Sequence, residues 1–238
     1  MENLSVEDEF AQKQPREPMF NLPRILVVFV IICVGMHILR SSVFSRQLAE
    51  WVFVTFAYFP IRFTPEYFTI DLPTLVSPIG HTFLHGDWAH LGMNMIWLVA
   101  FGAPVAYRLG ALRSVVFWVL TALGAVLLHT LIYYGDTVPL VGASGAVSGF
   151  LGGAARFGFK SNRRNPRAGL AGPLYGPVDS LRQRGVIPFL TIWMVLNFAF
   201  GSDFLGLNGG ASIAWEAHIG GLVAGFFAIG YLDTKRLN

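Results

Sequence analysis

Leu140-Val141-Gly142-Ala143-Ser144-Gly145-Ala146-Val147-Ser148-Gly149-Phe150-Leu151-Gly152-Gly153 is apolar throughout yet built of small residues. Gly145, Gly149 and Gly153 recur at a spacing of four, which places them on one face of a helix. Such small-residue faces let two helix backbones approach closely inside a membrane. A hydroxyl, Ser144, opens the run. Polar groups at the end of a membrane segment are costly and are functional suspects by default. The stretch predicts an all-α fold, a polytopic bundle of membrane helices with this one packed against a second small-residue face.

Composition supports that class. Of 238 residues, 54% are hydrophobic and 13% charged, and the mean hydropathy is +0.55. Soluble domains carry about 25% charge. The net charge of +3 gives no ground for a nucleic-acid partner, and the expected surroundings are a lipid bilayer. The single cysteine, Cys33, lies within an apolar run and reads as small apolar filler, with no intrachain disulfide possible.

Apolar runs at 24–39, 91–109, 114–134, 144–158, 186–201 and 213–232 predict six spans. Residues 1–23 form a polar tail without the compact basic start of a cleavable signal, so the first span is expected to be an uncleaved anchor. Residues 24–233 form the membrane domain and 234–238 a second tail. The long loop at about 40–90 is rich in aromatic residues and is expected to lie partly in the membrane interface.

Basic residues set the orientation. Arg108 and Arg113 follow the second run. Arg156, Lys160, Arg163, Arg164, Arg167, Arg182 and Arg184 follow the fourth, and Lys235 and Arg236 close the chain. The segments at about 135–143 and 202–212 contain no lysine or arginine. By the positive-inside rule both termini are cytoplasmic. Spans two, four and six then start at the external face, where His90, Ser144 and His218 all fall.

A serine needs a base to take its proton, and histidine is the usual one. Packing the Gly145/Gly149 face against Gly221 and Gly225 on the sixth run would bring Ser144 and His218 within hydrogen-bond reach. His90 and Asn94, four apart, share a helix face. With the Ser144 amide in the first helical turn, they supply donors suited to an oxyanion. Glu216, two residues before His218, points away from it on a helix, so a Ser–His dyad is expected. From Ser144 to Arg156 is a rise of about 18 Å at about 1.5 Å per residue, short of the roughly 30 Å hydrocarbon core. The serine is thus expected below the outer surface, in a cavity that admits water.

Other chemistries lack their signatures. The chain has no His-Glu-x-x-His, and the serine is not in Gly-x-Ser-x-Gly. His81, His85, Asp87 and His90 could be arranged around a metal, but nothing fixes a ligand geometry, and His85 and Trp88 read better as braces at the mouth of the second span. His37 and His129 read as packed polar groups near span ends.

His85-Gly86-Asp87-Trp88-Ala89-His90-Leu91-Gly92-Met93-Asn94, Gly142-Ala143-Ser144-Gly145 and Ala217-His218-Ile219-Gly220-Gly221-Leu222-Val223-Ala224-Gly225 together resemble the rhomboid family of intramembrane serine proteases. The resemblance covers about residues 24–232. It implies Ser144 as nucleophile, His218 as base, and His90, Asn94 and the Ser144 amide around the oxyanion. It implies no cofactor, single-span membrane proteins as substrates, and, from the compact six-span form, a bacterial plasma membrane. Where some members carry an aromatic residue one turn after the serine, this chain has Ser148. Ser77-Pro78 lies near the place of a Trp-Arg pair in the first loop of some members. Two other classes stay open at this point: a non-catalytic relative that binds membrane clients, and a small transporter using His90, Asn94 and His218. The oligomeric state is open too.

Overall fold

The computed structural model describes residues 22–158, 173–201 and 214–234. The tail at 1–21, Lys160, Arg163, Arg164, Arg167, the loop at 202–212 and the end at 235–238 lie outside the described residues. Among the described residues every regular element is helical, and an isolated antiparallel bridge joins Tyr58 to Leu140. In chain order the helices are α1 (Arg24–Ile38), α2 (Arg46–Phe56), α3 (Leu72–Gly80), α4 (Trp88–Trp97), α5 (Ala103–Leu109), α6 (Ala111–Ile132), α7 (Ser144–Ala155), α8 (Pro177–Leu181), α9 (Val186–Gly201) and α10 (Trp215–Leu232).

α1 runs on through a π-helical segment at Leu39–Val43, and another at Leu98–Gly102 joins α4 to α5. The second apolar run therefore starts at Trp88, three residues before the expected 91, because the Asp87 side chain caps the helix by accepting from the His90 N–H (2.8 Å). Gly110, at φ +76°, separates α5 from α6.

Among the described residues three helical stretches are long and apolar enough to cross a membrane: Arg24–Val43, Trp88–Leu109 and Ala111–Ile132. The other expected spans differ for physical reasons. α7 has 12 residues, all of them buried from Gly145 to Ala155. A helix buried all round is the centre of a bundle, and α7 is packed between α6 and α10. α10 begins with the polar Trp215-Glu216-Ala217-His218.

The loop at 40–90 is more ordered than its composition suggests. It holds α2, whose first turn is capped by Ser45 accepting from Leu48 N–H, and α3, capped by Asp71 accepting from Thr74 N–H. Arg62 lies over the Phe59 ring at 4.6 Å.

Leu26, Phe29, Leu98, Phe117, Trp118 and Phe150 make the main core. Outward positions on α1, α6 and α9, such as Ile31, Leu127, Leu131 and Ile192, are apolar and exposed. Buried polar residues gather inside, as expected where the surroundings are hydrocarbon. At one end of the bundle Arg108 and Asp233 form a buried ion pair (2.6 Å), and Arg156 donates to the carbonyls of Tyr175 (2.8 Å) and Phe226 (2.7 Å). Two of the arginines that the orientation argument counts as loop charges are thus folded into the protein. Ser144 lies at the opposite end of α7.

Candidate active site

The turn before Ser144 is held from three sides. Tyr58 and Leu140 exchange backbone hydrogen bonds (3.1 and 2.8 Å). Gly142 N–H donates to the His81 carbonyl (2.9 Å), and Ala143 N–H donates to His85 Nε2 (3.5 Å). Gly142 sits at φ +114°, a conformation that L side chains rarely adopt. A Cβ there would also lie 2.7 Å from His90 Nε2 and 3.6 Å from Ser144 Oγ. The serine hydroxyl and the His90 ring therefore face one point, kept open by the missing side chain.

His90 is half-buried on the first turn of α4. Its Nδ1 accepts from Gly86 N–H (3.5 Å), so in a neutral ring Nε2 carries the proton and is a donor. Asn94 is buried one turn on and spends one amide hydrogen on the His90 carbonyl (2.9 Å). The amide has a second hydrogen to give. The first intrahelical bond of α7 runs from Val147 N–H to the Ala143 carbonyl (2.9 Å), so the Ser144 N–H belongs to the first turn, where amides lack intrahelical partners.

The brace beneath this turn is histidine-rich and neutral. Burial is the main cause that pushes His85 down to about 3, with His90 and His37 adding to it. Burial pushes His81 down to about 4, against the opposing hydrogen bond from its Nδ1 to the Ser77 carbonyl (3.1 Å). Asp87 is held below the usual carboxylate range by the His90 N–H. His85 and His90 meet ring to ring at 5.3 Å, and Trp88 packs edge-on against His37 at 4.5 Å. Among the described residues no group of three or more His, Cys, Asp or Glu has an arrangement that could hold a metal.

His218 lies in the first turn of α10, 7% exposed. The backbones of α7 and α10 touch here. A Cβ on Gly145 would come within 3.4 Å of the Ala217 carbonyl oxygen and 2.5 Å of the Ala125 Cβ. One on Gly221 would run into the Gly145 carbonyl, one on Gly225 into the Gly149 carbonyl, and one on Gly149 into Thr121. The hydrogen bond expected between Ser144 and His218 is not made. His218 Nε2 has no partner, and the serine Oγ lies on the Gly142 side. Catalytic hydrogen bonds are often long or misaligned until substrate is present.

Two partners escaped the sequence reading. His218 Nδ1 hydrogen-bonds to Asn197 Oδ1 on α9. Asn197 is a polar amide in an apolar run, a signal that intramembrane polarity alone could have raised. Glu216, which points away from His218, forms a buried pair with His129 Nδ1 at 2.7 Å. His129 and Glu216 thereby pin α6 to the start of α10. Ser148 is buried within α7, and the Cys33 Sγ lies 3.9 Å from the Thr82 carbonyl.

Residues 73–235 match the Rhomboid domain family. The chain is 30% identical over 158 residues to a protein named Rhomboid protease GlpG from Serratia proteamaculans (strain 568), covering 66% of this chain and 48% of that one. To the protein of the same name from Salmonella paratyphi A it is 26% identical over 210 residues, 87% of this chain and 62% of the other. To that from Klebsiella pneumoniae (strain 342) it is 26% identical over 208 residues, 86% and 61%. The matched part is therefore about half to three-fifths of the length of these curated relatives.

Proposed function

The chain belongs to the rhomboid family, and on that premise we propose that it is an intramembrane serine protease, with Ser144 as nucleophile and His218 as base. Its substrates are single-span membrane proteins, cut near the external face of the bilayer. Six spans, both termini cytoplasmic and a multi-pass site in a bacterial plasma membrane belong to the same reading. So does the division into polar tails and a membrane domain at 24–233.

The observation that carries the proposal is the opening of α7 and α10 side by side. Gly145 and Gly221 allow backbone contact, and each helix brings one catalytic side chain to that end of the bundle. His218 Nε2 is unpaired, as a base awaiting a proton should be. A side-chain rotation of Ser144 away from Gly142 would present its hydroxyl to the imidazole.

The reaction then runs in two halves. Ser144 Oγ attacks the substrate carbonyl carbon while its proton passes to His218 Nε2. The oxyanion is received by His90 Nε2–H, the second Asn94 amide hydrogen and the Ser144 N–H. Collapse expels the amine, which takes the proton from His218. A water then repeats the sequence on the acyl-enzyme, releasing the acid and restoring Ser144. No step calls for a cofactor. The relatives named Rhomboid protease GlpG support the class of activity.

Reconstitution into liposomes with a fluorescent single-span substrate tests this. The parent should cleave, while Ser144→Ala and His218→Ala, folded to the same thermal midpoint, should show no turnover above background. Equal cleavage by all three would end the protease reading. A parent that binds the substrate without cutting it would point instead to a client-binding role.

A further inference from the structure

From the hydrogen bonds around His218, which the sequence left without an orienting partner, we infer that Asn197 on α9 is a positioning residue that fixes the tautomer of the base. This rests on the reading of His218 as that base. The argument starts from what each atom can do. The Asn197 amide donates from Nδ2 to the Trp193 carbonyl (2.7 Å). A carbonyl only accepts, so that atom must be the nitrogen and the other must be Oδ1. Oδ1 also only accepts, and it faces His218 Nδ1. The imidazole must therefore carry its proton on Nδ1. In a neutral ring that leaves the lone pair on Nε2, the atom without a partner.

The amide does for His218 what a carboxylate does in a three-membered catalytic arrangement, without adding a charge. It selects the reactive tautomer and holds the ring plane, and it keeps its hydrogen bond when the ring becomes imidazolium. Trp193, one turn earlier on α9, has its ring centroid 6.2 Å from that of the imidazole. Glu216 does not serve this purpose: its Oε1 pairs with His129 on α6, and the His218 Nδ1 is taken by Asn197. Of the other titratable groups on the packed helices, His90 on α4 is within electrostatic reach of His218. Ser144 opens the adjoining α7.

The test compares the full-length protein with Asn197→Ala and Asn197→Asp. Each is read by kcat and KM across pH and by nitrogen-15 NMR of histidine-labelled protein, the His218 signal being assigned by its loss in His218→Ala. Asn197→Ala should lower kcat by about 10- to 100-fold, part of the roughly 10²–10⁴ that a positioned base contributes, with KM within about twofold. Asn197→Asp should keep the acceptor and recover most of that loss. Its carboxylate should favour the imidazolium and move the acid limb of the kcat profile to higher pH. The parent should show His218 protonated at Nδ1, and Asn197→Ala a mixture of tautomers. An active parent with an unchanged kcat in Asn197→Ala and an unmoved limb in Asn197→Asp would overturn the inference. If Asn197→Ala fails to fold, the Asn197→Asp limb and the parent tautomer decide. A parent with Nε2–H at His218 overturns the inference whatever its activity. A parent with Nδ1–H and no cleavage would overturn the protease reading and leave the positioning role standing.

Discussion

Gly142 and His90 illustrate how much of the site depends on single atoms. Gly142 combines a φ of +114° with a Cβ position 2.7 Å from His90 Nε2, so Gly142→Ala should disturb both the turn and the donor. We expect it to cost most of the activity and to lower the thermal midpoint as well, because the strained turn is destabilising, measured as kcat of the folded protein together with its midpoint. His90→Ala removes one oxyanion donor, and the expected loss in kcat is about 10²–10³-fold with little change in KM. The brace below is sensitive to acid. His85 and His81 have folded values pushed to about 3 and about 4, below the ordinary 6.5. The unfolded chain therefore binds more protons between those values, and the stability from these two residues is complete above about pH 6.5. It falls as pH drops towards 4, with a slope approaching about 1.4 kcal/mol per pH unit for each group. Chemical unfolding in detergent at pH 7.5, 6 and 5 measures this, and His85→Gln should flatten the curve. At this scale the sequence showed Ser144, His218, His90 and Asn94 as candidates from their places at span ends. Asn197 was legible as a polar amide in an apolar run, but its pairing with His218, 21 residues on in another helix, is set by packing alone.

Glycine carries the argument at the level of elements, but only where another backbone lies against it. Gly221 and Gly225 face the carbonyls of Gly145 and Gly149, whereas a Cβ on Gly92 in α4 meets nothing within 4 Å. Gly221→Ala should therefore force α10 away from α7 and destabilise the protein by roughly 1–3 kcal/mol or more. Gly92→Ala should be neutral or stabilising by up to about 1 kcal/mol, the difference in helix propensity. Thermal midpoints of the two variants in one detergent check the contrast. The spacing of four made this interface legible in the sequence, because period and residue size are local properties. The helices α2 and α3 were not. The aromatic residues of α2 suggested interfacial loop, α3 carries Pro73 and Pro78, and the capping side chains Ser45 and Asp71 that start them are weak signals inside a long apolar stretch.

Seen as a whole, the protein exposes apolar residues on its outer helix faces and buries polar residues alongside an apolar core, with catalytic candidates at one end of α7 and the Arg108–Asp233 and Arg156 contacts at the other. Apolar length recovered three spans directly. The central α7 is short because its surroundings are protein, so a rule built on membrane thickness undervalues it. The proposed orientation predicts that, in a Cys33→Ser background, a cysteine at Asp136 reacts with an impermeant maleimide applied to intact cells. One at Arg184 should react only after lysis. The reverse pattern would invert the protein in the membrane and put the site on the wrong side. The central claim, a serine activated by a histidine from a neighbouring helix, is tested most directly by an active-site-directed fluorophosphonate followed by peptide mass spectrometry. The account predicts a single adduct on Ser144 in the parent, lost in folded His218→Ala. No adduct on Ser144, or one that forms as fast without His218, would contradict it.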